Sequence, residues 1–137
     1  MRKYNALLSV VLVAIFLIHA ILSGFVLYGV IRDAGKLLAW VGCWLVVLHA
    51  VFGVVLTIQT IKSRSASGKG YLRQNALFWT RRISGVCILV LAFFHFGLYG
   101  TMVDDKYVLF EFTALRLLTQ LLLSAALFTH IFVNVRP

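Results

Sequence analysis

Residues 79–100 read WTRRISGVCILVLAFFHFGLYG: a tryptophan and two arginines run straight into an apolar stretch that carries one histidine, His95. A helix needs ~20 apolar residues to cross a hydrocarbon core. This stretch supplies them over Ile83–Met102, and three more runs of the same character lie at Asn5–Ile31, Leu37–Ile61 and Phe110–Val133. Lipid offers a backbone amide no hydrogen-bond partner, so each run is expected to be helical. The 137 residues are 62% hydrophobic and only 12% charged, about half the charged share of a soluble domain. The expected fold class is therefore an all-α membrane protein, a four-transmembrane-helix bundle forming a single domain over residues 1–137.

The opening Met1-Arg2-Lys3 before an apolar run imitates a secretory leader. A leader's apolar core is ~7–15 residues long and ends in small residues at a cleavage site. Here the apolar run continues past Tyr28, so a retained first span is expected.

The formal charge of +9 is confined to the ends of the runs. With the N-terminus inside, Arg2, Lys3, Lys62, Arg64, Lys69, Arg73, Arg81, Arg82 and Arg136 fall on one side. Arg32, Lys36 and Lys106 fall on the other, with Asp33, Asp104 and Asp105. Lys and Arg near span ends are retained on the cytoplasmic side, which puts both termini in the cytoplasm and the chain in the cell inner (plasma) membrane as a multi-pass protein. The basic charge is a topology signal, helped by anionic membrane lipid, and gives no reason to expect nucleic acid.

RDAGK (32–36) reads as an outer turn, KSRSASGKGYLRQN (62–75) as the polar inner loop and VDDKY (103–107) as a second outer turn. The cytoplasmic stretch from Lys62 to Arg82 is the largest inner surface, and therefore the expected docking face for a partner. Cys43 and Cys87 lie inside spans, far apart and outside any C-x-x-C-H, which excludes covalently attached c-type haem.

The chemistry rests with histidine. The chain has four, His19, His49, His95 and His130, one in each span and none in a loop. Ionisable groups within spans face the bundle interior and mark functional pathways. Imidazole is an iron ligand, and helix bundles build cofactor sites from inward side chains on facing helices. Zinc would need its ligands in one small tetrahedral shell, and a proton relay would call for carboxylates that the spans lack.

Depth decides between one site and two. His95 lies nine residues before Asp104 at the outer edge, and His130 six before Arg136 at the inner edge. At ~1.5 Å per residue the two are ~15–20 Å apart across a core of ~30 Å. Two stacked bis-histidine haem b groups fit that spread, with His19 and His95 holding the outer one and His49 and His130 the inner one. Small residues flank the histidines (Ser23, Gly24, Gly53, Ala92, Ala126), as a flat ring between helices needs and as close helix packing also uses. Haem propionates need cationic or hydrogen-bonding partners, for which Arg82 leads, followed by Arg81, Ser84 and Arg116. Glu111, at the start of the last span, is a candidate for moving a quinol proton.

The stretch RQNALFWTRRISGVCILVLAFFHF (73–96) resembles the R-x-[ST]-G-x(8–10)-H signature of the cytochrome b membrane-anchor subunits of succinate dehydrogenases and fumarate reductases, di-haem type. FLIHAILSGF (16–25) is similar to that family's first helix. The resemblance maps His95 onto an axial ligand and Arg82, Ser84 and Gly85 onto the motif, while His19, His49 and His130 match by helix alone. Di-haem members usually have five helices, where this chain has four. The resemblance implies an anchor for cytoplasmic flavoprotein and iron–sulfur subunits that passes electrons between them and menaquinone or ubiquinone. The chain would then be an electron-transfer subunit and not itself catalytic on a dicarboxylate. Two alternatives stand beside it. One is the cytochrome b subunit of a formate dehydrogenase or hydrogenase. The other is a small four-helix exporter, which would be expected to carry a glutamate in its first span, where this chain has none.

Overall fold

The computed structural model describes residues 1–31, 36–65, 76–96, 100–104, 106–111 and 113–135. Four helices dominate: α1 (Arg2–Leu27), α2 (Lys36–Ser65), α3 (Ala76–His95) and α4 (Ala114–Val135). All four are long and apolar enough to cross a membrane. The shortest, α3 with 20 residues, is ~30 Å long at 1.5 Å per residue, just sufficient for a hydrocarbon core. The fold class is thus the expected one, all-α with four helices able to span a membrane. A two-stranded hairpin precedes α4, with β1 (Gly100–Val103) paired to β2 (Lys106–Leu109).

Span edges differ from the expected ones, each for a local reason. The first ends at Leu27 and not Ile31. Gly29 takes the left-handed φ of 71°, its N–H bonds to the Val26 carbonyl, and the Val30 N–H bonds to the Phe25 carbonyl. This paired closure caps a helix C-terminus, and the left-handed residue favours glycine. The second span runs four residues past Ile61, to Ser65. The third begins at Ala76, seven residues before Ile83, because its arginines are accommodated within the helix. Arg81 Nε donates to the Val133 carbonyl at 2.8 Å, and the Arg82 guanidinium lies 4.1 Å from the centre of the Phe78 ring one turn earlier.

That helix also stops sooner, at His95, and β1 starts at Gly100 where a helix to Met102 was expected. The fourth span begins at Ala114, four residues after Phe110. Thr113 caps it, its Oγ1 accepting from the Arg116 N–H at 3.3 Å. Of VDDKY, Val103 ends β1 and Lys106 and Tyr107 begin β2; Asp104 has φ 47°, and Asp105 lies outside the described residues. Most of RDAGK and of the inner loop lies outside the described residues.

The chain forms two compact pairs, α1 with α2 and α3 with α4. In the first pair the helices approach closely where Gly42 faces Ile15, and a Cβ on Gly42 would sit 3.2 Å from Ile15 Cγ2. In the second pair Phe78, Ser84, Thr119 and Val133 are buried. Large apolar side chains point outward, for example Trp44 at 69% exposure and Phe93 at 77%. This inverts a soluble protein, where contiguous exposed apolar surface is limited to a few hundred Å². Lipid is the solvent such a surface requires. Four hydroxyls within the spans are satisfied by their own helix: Thr57, Thr60, Thr80 and Thr119 each donate to the carbonyl four residues back.

Candidate cofactor site

Among the described residues, the α3–α4 pair holds the most fully determined polar cluster. Ser84, buried at 6% exposure, lies 2.9 Å from His130 Nδ1 on α4. The next residue, Gly85, backs the same ring, and a Cβ there would stand 3.3 Å from His130 Cε1. The Ser-Gly of the sequence motif therefore cradles the histidine of the facing helix. At the other end of the pair, His95 Nδ1 lies 2.8 Å from Gln120 Oε1. The contacts Arg81–Val133, Ser84–His130 and His95–Gln120 all obey one antiparallel register.

That register separates the two histidines. Ser84, which sits against His130, is eleven residues before His95, or ~16 Å along the helix. Eleven residues are close to three turns, so Ser84 and His95 share one stripe of α3, the stripe turned toward α4. His95 is the last residue of α3, not deep within the span as the sequence implied. Gln120 nevertheless places it six residues inside α4.

The first pair repeats the pattern. His19 is one turn beyond Ile15, and His49 two turns beyond Gly42, so both lie on the stripe where α1 and α2 meet. Carried along the helices from the Ile15–Gly42 approach, the antiparallel register sets His19 level with about residue 38 of α2, roughly eleven residues from His49 and again ~16 Å. Both histidines are half-buried. One turn past His49 is Gly53, where nothing lies within 4 Å of a would-be Cβ.

The other expected residues take varied places. Arg82 stacks on Phe78 on its own helix. Arg116 lies 5.1 Å from the Phe110 ring and donates to the Glu111 carbonyl. Ser84 is engaged with His130 and with the Thr80 carbonyl at 2.6 Å. Gln120 was not anticipated, although an amide in an apolar helix is a signal of the same kind as a histidine.

The histidine imidazoles are spaced along two helical seams, and no three His, Cys, Asp or Glu side chains come together among the described residues. Compared with known protein families, curated proteins and solved structures, the chain has no match.

Proposed function

We propose that this chain is a di-haem b-type cytochrome, the membrane anchor of a succinate:quinone or quinol:fumarate oxidoreductase. In this reading it carries electrons between a cytoplasmic flavoprotein and iron–sulfur pair and menaquinone or ubiquinone. One observation carries the cytochrome part: each helix pair presents two histidines on its seam, one per helix, at the same ~16 Å spacing. Two levels of bis-imidazole ligation need that arrangement. The anchor role rests on the R-I-S-G-x(9)-H resemblance at Arg82–His95.

Bound haem would supply one-electron chemistry, and the histidine imidazoles would hold its iron. The chain's own contribution is to hold and orient. Counted from the helix ends on the expected outer side, His95 is terminal, His19 eight residues in, His49 thirteen and His130 sixteen. The pairing proposed is the one expected from the sequence, an outer haem on His19 and His95 and an inner one on His49 and His130. Arg82 and Arg116 are the cations proposed for propionates at the two edges, and the open space beside Gly53 suits a flat ring next to His49. The expected orientation, both termini cytoplasmic in the plasma membrane, belongs to the same proposal.

Membranes expressing the chain with haem available should give a dithionite-reduced b-type spectrum, with two haems per chain by pyridine haemochrome. A colourless protein that haem cannot reconstitute overturns the reading.

A further inference from the structure

The partners of His95 and His130 determine where each ring proton lies. Gln120 Oε1 is a carbonyl oxygen and can only accept, so the 2.8 Å bond is donated by His95 Nδ1–H. Ser84 has a single hydroxyl proton and gives it to the Thr80 carbonyl, its shortest contact at 2.6 Å. Its 2.9 Å bond to His130 is then one that its lone pair accepts, again from Nδ1–H. In both rings Nδ1 then carries a proton, which makes Nε2 the nitrogen that can take a metal.

Resting on the bis-histidine reading above, we propose that Ser84 and Gln120 are positioning residues that aim Nε2 of His130 and His95 at iron and set the reduction potential at each level. An axial histidine that donates its other N–H becomes more basic, which favours ferric iron and lowers the potential. The two anchors differ in kind. The Ser84 hydroxyl is fixed by the bond it donates to Thr80, which polarises it as an acceptor, and the ring it holds is backed by Gly85, where a Cβ would stand 3.3 Å from Cε1. Gln120 holds His95 through one bond, and its own Nε2 is buried with no hydrogen-bond partner among the described residues. The His130 level is therefore the more rigidly defined of the two.

Redox titration of full-length protein in membranes, followed by optical spectra and ferric low-spin EPR, tests this. Ser84→Ala and Gln120→Leu should each raise the midpoint of one haem component and leave the other in place. The expected change is about threefold in the oxidised-to-reduced equilibrium, roughly 30 mV for a one-electron couple. Ser84→Thr keeps the acceptor and should return the wild-type midpoint, while Gln120→Glu offers a stronger acceptor and should lower it. If Ser84→Ala or Gln120→Leu fails to accumulate, Ser84→Cys and Gln120→Asn decide and should raise the same midpoints, since a thiol is a weaker acceptor than a hydroxyl and Asn falls short of His95 while keeping the amide. Two haems with unmoved midpoints and g values in both variants, or one component moved by both, overturns the positioning role alone. Wild-type protein without haem instead overturns the cytochrome reading, and this proposal with it.

Discussion

Gly85→Ala isolates what the glycine of the motif does. An added Cβ would lie 3.3 Å from His130 Cε1 and 3.7 Å from Nδ1, while carbon pairs prefer ~3.5–4.0 Å. The ring must recede by a few tenths of an ångström. It cannot do so freely, because Nδ1 is tied to Ser84 on the same helix at 2.9 Å, and N–H···O bonds weaken beyond ~3.2 Å. Overpacking of this size costs ~1 kcal/mol, the low end of the usual range, since one contact is involved. Replacing a mid-helix glycine by alanine returns ~0.5–1 kcal/mol. The two nearly cancel, so stability should hardly change while the His130 ring is displaced. In detergent, the thermal unfolding midpoint should stay near wild type. The haem-to-protein ratio or the midpoint of one component should change, and Gly85→Val should lose that component entirely. Two haems with wild-type midpoints in Gly85→Val would refute this reasoning.

Replacing His130 or His95 by alanine should each lower haem content from two toward one per chain, with different spectral components lost. Loss of the same component from both variants refutes the proposed pairing. Gly53→Leu should fold and insert normally, because nothing lies within 4 Å of that position. It should nevertheless lose the haem next to His49, and retention of both haems would show that the space there serves no cofactor. Neutralising Lys69 and Arg73 together, both outside the described residues, should reduce recovery of the dehydrogenase subunits while the haem spectrum persists. Unchanged recovery moves the docking face away from the inner loop.

The four spans are legible because lipid imposes a length and a composition that few other structures share. Their edges are less so, because hydropathy counts a charge as a boundary wherever it falls. Arg81 and Arg82 interrupt the apolar run but not the helix, since Val133 and Phe78 receive them. The β-hairpin hid in the same way. Thr101, Val103 and Val108 count as apolar or neutral in a span, and their β-branched shape was the signal that they belong to strands. The histidines stood out as rare polar groups in apolar runs, and Gln120 offered the same signal. The Ser84–His130 contact joins residues 46 positions apart. It depends on the register of two helices, which the apolar pattern does not specify because both are apolar on nearly every face.

The polar groups of the α3–α4 seam are too weak as glue to account for their presence. In lipid, helices associate without a hydrophobic drive, and an interhelical hydrogen bond is worth on average ~0.6 kcal/mol. The Ser84–His130 and His95–Gln120 bonds together contribute ~1 kcal/mol on that scale, no more than one glycine-to-alanine exchange changes. A stripe of small residues would join the two helices as well and would leave no amide nitrogen buried without a partner, as Gln120 Nε2 is among the described residues. Thr57, Thr60, Thr80 and Thr119 show the inexpensive way to carry a polar group in a span, a bond to the same helix. Ser84 makes that bond to Thr80 and still reaches across to a histidine. Those two bonds alone are a weak reason for imidazoles on the α3–α4 seam. The proposed haem ligation would supply the reason that the bonds do not.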